Sequence, residues 1–253
     1  MRGRKATKAC GCAVWLLAVV CASGVLASED PVVHGERVVL LHGLARSPSS
    51  MSRMEKALRR AGYEVCNLSY PSRKHPIREL AVDFVGPAVR TCFPENDKPI
   101  HFVTHSLGGV IVRQLAAASI EIPIGRVVML GPPNQGSEIV DRFSDWWMFR
   151  KLNGPAGIEL GTDEASVPLK LGATSLDVGV IAGNSSINWI LSTFIPGQDD
   201  GKVSVSRAQL AGMRDFLVVR SSHPFIMRNA VVIEQTLWFL GHGEFEHRQG
   251  EVM

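Results

Sequence analysis

Covalent acyl transfer needs a nucleophile, a base to take its proton, and a carboxylate to hold that base in the useful tautomer. Ser106 has the setting of the nucleophile. It lies in Thr104-His105-Ser106-Leu107-Gly108-Gly109, between an apolar run of strand type and an apolar run of helix type. A serine on a strand-to-helix turn is thrust out of the sheet, and small neighbours let the turn close. The competing reading is an ordinary helix N-cap. The second glycine and the strand–turn–helix setting favour the nucleophile.

Acid and base must then follow in the chain, in that order. The histidines after Ser106 are His223, His242 and His247, and the last two fall in a polar tail beyond the expected final helix. His223 follows an apolar run in Ser221-Ser222-His223-Pro224, a loop of the kind in which a parallel sheet places its working residues. The expected acid is Asp200, in Asp199-Asp200-Gly201-Lys202-Val203, with Asp199 as the alternative acid or a solvated turn residue. Asp177 and Asp215 fall inside expected strands and fit less well. Donors for a developing oxyanion are expected from two backbone amides. One is Leu107, at the start of the helix after Ser106; the other is Leu44, in the turn His42-Gly43-Leu44-Ala45.

The elements that must position these groups alternate along the chain. Strand-type runs cover 36–41, 63–70, 100–104, 125–130, 175–182 and 215–220. Helical spacing covers 48–61, 76–92, 107–118 and 228–241, the last closed by a glycine, with a short helix within 188–194. This order predicts one α/β domain, a mostly parallel twisted sheet with helices on both faces. Between 137 and 200 the pattern blurs. That stretch holds an aromatic cluster at 143–149 and then a Gly/Pro/Asp-rich segment from 153 to 168. Residues 137–170 are expected to form a short lid-like insertion, too short for a large cap domain.

Composition narrows the function classes. At 253 residues with 45% hydrophobic and 20% charged side chains, the chain is an ordinary globular sequence with material for a substantial core. The formal charge of +3 does not point to nucleic acid, because Arg2, Arg4, Lys5 and Lys8 precede residue 10. Without those four, 23 basic side chains face 24 acidic ones, a net of −1. The same four cations open a secretory-signal layout: a basic start, the apolar run Ala13–Ala22, and small Val25 and Ala27 before an expected cleavage at Ser28. Residues 1–27 are therefore expected to be a leader and 28–253 the working domain, exported to periplasm or medium. A retained anchor and lipid attachment at Cys21 are the rival readings. The apolar run is short for a membrane span, and no later run is long enough. With the leader gone, Cys66 and Cys92 remain, an even pair that fits one disulfide in an oxidising compartment or two separately buried thiols. No metal-ligand spacing is present, so no metal is expected.

Taken together, the strand followed by HGL, the THSLGG turn, the DDGKVSV loop and the SHPF loop resemble the α/β-hydrolase superfamily. Within it the chain is similar to small bacterial triacylglycerol lipases and esterases over about residues 36–241. The resemblance implies a Ser106/Asp200/His223 triad with Leu44 and Leu107 as oxyanion-hole residues. It also matches GPPNQGSE at 131–138 to a loop expected to serve shape and packing. Two positions depart from the pattern: Thr104 stands where a glycine is usual, and the acidic residue of a common calcium site beside the histidine loop is missing. No calcium and no other cofactor are expected.

The expected substrate is a small-molecule or lipid ester with an apolar acyl group. Trp146, Trp147 and Phe149, with Phe143 and Met148, could line its pocket, and Ile187, Trp189 and Leu191 could complete it. The same aromatics could equally fill core beneath a long loop. Rival activities are amide or thioester hydrolysis, or acyl transfer, on an envelope lipid with the same triad. A hydrolase-fold binding protein without catalysis is the rival of a different class. Its mark would be a lost triad member, and labelling of Ser106 by a fluorophosphonate discriminates the two.

Overall fold

Six apolar runs pair side by side, every neighbour parallel, in the order β2-β1-β3-β4-β5-β6. The strands are β1 (Arg37–Leu41), β2 (Glu64–Leu68), β3 (Ile100–His105), β4 (Ile124–Leu130), β5 (Val178–Gly183) and β6 (Asp215–Val219). The computed structural model describes residues 35–95, 97–187 and 189–247, with the Trp189 side chain excepted. The expected leader, 1–27, lies outside the described residues. Among the described residues no helix is long and apolar enough to cross a membrane.

Side chains alternate across a strand, and β1 shows what that does to the core. Val39 and Leu41 enter one apolar cluster, Val38 and Leu40 the other, all fully buried. The first cluster is closed by a helical run of three segments, α2 (Ile77–Glu79), a π-helical Leu80–Val85 and α3 (Gly86–Cys92), together with α4 (Leu107–Ala117). The second is closed by α1 (Ser52–Arg60) and the C-terminal helix, α10 below. Both faces of the sheet are thus covered, as parallel strands require. Each fully buried leucine contributes on the order of 1.5–3 kcal/mol. The single helix expected over 76–92 is broken in register by its π segment. Pro87 supplies the cause, since it has no N–H and its ring crowds the carbonyl four residues back. Cys66 on β2 and Cys92 at the end of α3 are joined as a disulfide, with Cα atoms 6.2 Å apart.

The blurred stretch contains α5 (Glu138–Phe143), α6 (Trp147–Ile158) and α7 (Val167–Lys170). Helix α6 is kinked at Gly154 (φ 64°, ψ −172°), directly before Pro155. Two short helices follow, α8 (Trp189–Ser192) and α9 (Val205–Ala208), and then α10 (Ala230–His242). The stop of α10 differs from expectation. Gly241 is inside the helix, and the left-handed residue that ends it is Gly243 (φ 82°). His242 therefore closes the helix, stacked on Trp238, instead of lying in a tail beyond it. Asp177 sits one residue before β5, against Arg126 and Arg214, and Asp215 opens β6.

Order along the sheet reverses at β1, whose neighbours are β2 on one side and β3 on the other. Open parallel sheets hold ligands beyond the carboxyl ends of their strands at such a reversal. The turns after β1 and β3 both leave the sheet there.

Candidate active site

Ser106 occupies the turn between β3 and α4 with φ 53° and ψ −118°, a conformation that is rare for a residue with a side chain. The turn is held by its own backbone: the Ser106 N–H donates to the Leu130 carbonyl, and the Gly109 N–H to the Ser106 carbonyl. Thr104 fits where a glycine is usual because it is still strand. It is fully buried, and its hydroxyl donates to the Val128 carbonyl of β4 at 3.4 Å.

Asp200, Ser106 and His223 come from different loops and meet at the carboxyl ends of the strands. The Ser106 hydroxyl lies 3.0 Å from His223 Nε2, and His223 Nδ1 lies 2.7 Å from Asp200 Oδ2. The Asp200 carboxylate is oriented by amides: its Oδ1 accepts from the N–H groups of Lys202 and Val203. The His223 loop is pinned to the acid through the His223 N–H and the Asp200 carbonyl, 2.9 Å apart. Asp200 and His223 are 1% and 5% exposed, so the pair works out of bulk water. Space for it depends on Gly131, at the end of β4 with φ 55°. A Cβ there would sit 3.0 Å from Asp200 Oδ2 and 3.3 Å from His223 Nδ1. Asp199 points elsewhere, its Oδ1 accepting from the Ser192 hydroxyl and the Gly201 N–H.

The turn after β1 faces the same place. Its Ala45 N–H donates to the Ser72 hydroxyl and its Arg46 N–H to the Gly43 carbonyl, while the Leu44 N–H has no acceptor among the described residues. Leu107 is the first residue of α4, so its N–H is one of those a helix leaves without an internal acceptor. His42 stacks on Tyr70, whose hydroxyl donates to the His42 carbonyl and ties the turn to the loop after β2. Burial pushes the His42 imidazole below its ordinary value and the Tyr70 phenol above its own. His105, next to Ser106, donates from Nε2 to the His223 carbonyl. Its pKa is driven well down, by burial first and then by the neighbouring His223, so it is a neutral spacer between the two loops.

A cavity of about 420 Å³ opens over Ser106 and His223. Its apolar wall includes Leu44, Val140, Phe143, Trp146, Phe149 and Leu191. Of the aromatics expected from the sequence, Trp146 and Phe149 reach this wall, whereas Trp147 is 64% exposed and off it, as are Met148 and Ile187. The exposed side chains of Trp146, Trp147, Leu152 and Ile190 form an apolar fringe on the helices around the cavity. The loop 131–138 acts on packing: Asn134, 1% exposed, donates to the Ala208 carbonyl and receives the buried Arg113. Arg113 also donates to the carbonyls of Pro168 and Gly172, and burial pushes its guanidinium down to about 10.

Sequence reasoning passed over Arg46, Arg73 and Lys202, which stand on the cavity wall with Ser106. Their charge gave no motif to find; Arg46 lies two residues past HGL and Lys202 inside the Asp199–Val203 loop, but nothing in the sequence joined them to Arg73. Among the described residues no group of three or more His, Cys, Asp or Glu is placed to hold a metal ion.

Comparison with known proteins agrees with this architecture. No curated protein matches the chain by sequence. Among solved structures, the mature lipase BlEst2 of Bacillus licheniformis superposes with a TM-score of 0.66 at 20% identity, over 84% of this chain and 96% of that one. The metagenomic carboxyl esterase MGS0156 gives 0.57 at 18%, over 76% and 65%. An esterase of Exiguobacterium antarcticum gives 0.55 at 15%, over 82% and 92%. At such identities these likenesses speak for the fold alone. The family assignment comes from the match of residues 38–232 to the alpha/beta hydrolase family, which takes in all six strands but for Arg37 at the start of β1, and the three loops described above: this chain is a member of the alpha/beta hydrolase family.

Proposed function

We propose that the protein is a serine hydrolase that cleaves carboxylic esters through an acyl-Ser106 intermediate. The observation that carries this reading is the run from hydroxyl to imidazole to carboxylate, 3.0 Å and 2.7 Å, at the floor of an apolar cavity. In the first half-reaction His223 Nε2 takes the Ser106 proton as Oγ bonds to the ester carbonyl carbon. The carbonyl π electrons move onto oxygen, where the N–H groups of Leu44 and Leu107 receive the charge; each such donor is worth about 3–4 kcal/mol in the transition state. As the tetrahedral species collapses, the C–O bond to the alcohol breaks and His223 gives that oxygen its proton. Water then repeats the sequence: His223 removes its proton, hydroxide oxygen bonds to the acyl carbon, and Ser106 leaves and is reprotonated. Asp200 stays ionised and keeps the Nδ1 proton of His223 in place. Trp146 and Phe149 would hold the acyl chain.

The experiment is a panel of p-nitrophenyl esters of increasing chain length, with fluorophosphonate labelling alongside. Turnover, and a label on Ser106 that Ser106→Ala abolishes, is the expected result. Folded protein that turns over no chain length and takes no label at Ser106 overturns the reading. We also propose that residues 1–27 are removed on export, which the basic-then-apolar layout of the leader and the Cys66–Cys92 bond support. Mature protein recovered from cells is expected to begin at Ser28.

A further inference from the structure

A second cavity, of about 410 Å³, adjoins the first and shares Ala45, Arg46 and Arg73 with it. Its remaining wall is Tyr70, Pro71, Ser72, Lys74 and Lys151. The two cavities together present Arg46, Arg73, Lys74, Lys151 and Lys202, and no carboxylate lines either except through the Asp200–His223 pair beneath. We propose that this cationic wall binds a phosphate group carried on the alcohol side of the ester that Ser106 cleaves, a deepening that rests on the esterase reading above.

Three arguments support it. The first is charge. Residues 28–253 carry a net −1, so five cations around one opening are a local concentration and not a reflection of composition. Arg46, Lys74, Lys151 and Lys202 form no ion pair among the described residues, and Arg73 donates only to the Leu152 carbonyl, at 3.5 Å. Like charges gathered without counter-charge repel, and an anion among them relieves that repulsion. Desolvation, and then the Arg46 guanidinium, hold the Lys202 ammonium below its ordinary value, with Asp200 pulling the other way. The second argument is position. Leu44, whose N–H has no acceptor among the described residues and is the proposed donor to the carbonyl oxygen, is followed directly by Ala45 and Arg46, which line both cavities. With the acyl chain on the apolar wall, a group extending from the carbonyl past Ala45 enters the second cavity. The third is chemistry. The cations come from four segments, the turn after β1, the loop after β2, helix α6 and the loop that carries Asp200, and two of them are arginines suited to a forked hold on phosphate oxygens.

The test uses the full protein carrying Ser106→Ala, so that binding is read without turnover. Calorimetry compares octanoylglycerol 3-phosphate with octanoylglycerol, below their micellar concentrations, with inorganic phosphate as a separate arm. The phosphorylated ester is expected to bind at least about tenfold tighter. That advantage should shrink as salt rises from about 0.05 M to about 0.5 M, and should collapse in the Lys74→Glu/Lys151→Glu variant, whose exposed side chains leave the unfolding midpoint in place. Inorganic phosphate that competes with the phosphorylated ester only would place the anion in this cavity. Equal affinities, or a preference indifferent to salt and to charge reversal, overturn the proposal. The two readings fail separately: tight binding of the phosphorylated ester by protein that turns over no p-nitrophenyl ester and takes no label at Ser106 discards the esterase, whereas hydrolysis of neutral esters with no such preference discards the phosphate site.

Discussion

Two adjacent aspartates show what decides a role at the scale of a residue. Asp199 and Asp200 are identical in type and neighbours in sequence, and both are buried. Only Asp200 meets His223, at 2.7 Å, with its other oxygen held by two amides. Replacing Asp200 by Asn puts an N–H where Nδ1 needs an acceptor, and kcat is expected to fall about 10⁴-fold. In Asp199→Asn the amide oxygen still accepts from Ser192 and Gly201, so less than about a tenfold loss is expected. Steady-state rates on one p-nitrophenyl ester settle it, and a larger loss in Asp199→Asn would unseat Asp200 as the acid. From sequence, Asp200 could be preferred but Asp199 not dismissed, because the amides that orient the carboxylate belong to a turn that has no signature of its own. Ser106 and His223 were legible for the opposite reason: Ser106 directly follows β3 and His223 sits in the short loop after β6, so the ends of those strands determine where they go.

Between elements, close approach takes over from pattern. A Cβ on Gly108 would lie 2.9 Å from both the Cβ and the carbonyl oxygen of Leu41, so α4 can lie against β1 only if residue 108 has no side chain. Gly108→Ala is expected to cost roughly 1–3 kcal/mol through forced separation of helix and strand. It should also lower the rate, since α4 begins directly after Ser106, the proposed nucleophile; a shifted denaturation midpoint together with lost turnover is the check. The disulfide acts on the unfolded chain instead. It closes a loop of 26 residues, and Cys66→Ala/Cys92→Ala is expected to lose about 3 kcal/mol. An unchanged midpoint would mean that packing of α3 on β2 already supplies the constraint. Strands and long helices were readable from period-2 and period-3.6 patterns because each buries one face or both against the sheet. Helices α5 to α7 were not, since α6 turns at Gly154-Pro155 and exposes Trp147, Met148 and Leu152 where a core-facing stripe would be sought. The aromatic cluster was visible in the sequence; which of its members face the cavity depends on that kink.

Across the whole molecule, what escapes the sequence is what several loops make together. The cationic wall draws on positions 46, 73, 74, 151 and 202, and a net charge of −1 over residues 28–253 conceals it. Buried imidazoles are a second such property. His42 and His105 lie at the carboxyl ends of β1 and β3, and His101 at the opposite end of β3. Burial holds all three below their ordinary value; His105 is held furthest down, and His101 is partly restored by Glu36. A histidine whose folded pKa is depressed binds fewer protons in the native state than in the unfolded one. Its neutral form therefore costs no stability above the unfolded value of 6.5, and stability drains away as pH falls below it toward the folded value. Thermal unfolding midpoints are expected to hold steady above about pH 7 and to decline steadily from about pH 6.5 to 5. His105→Gln keeps an N–H donor for the His223 carbonyl without a group that can charge, so its decline over the same window should be shallower. Parallel curves for the variant and the wild-type protein would show that the acid sensitivity comes from elsewhere in the fold.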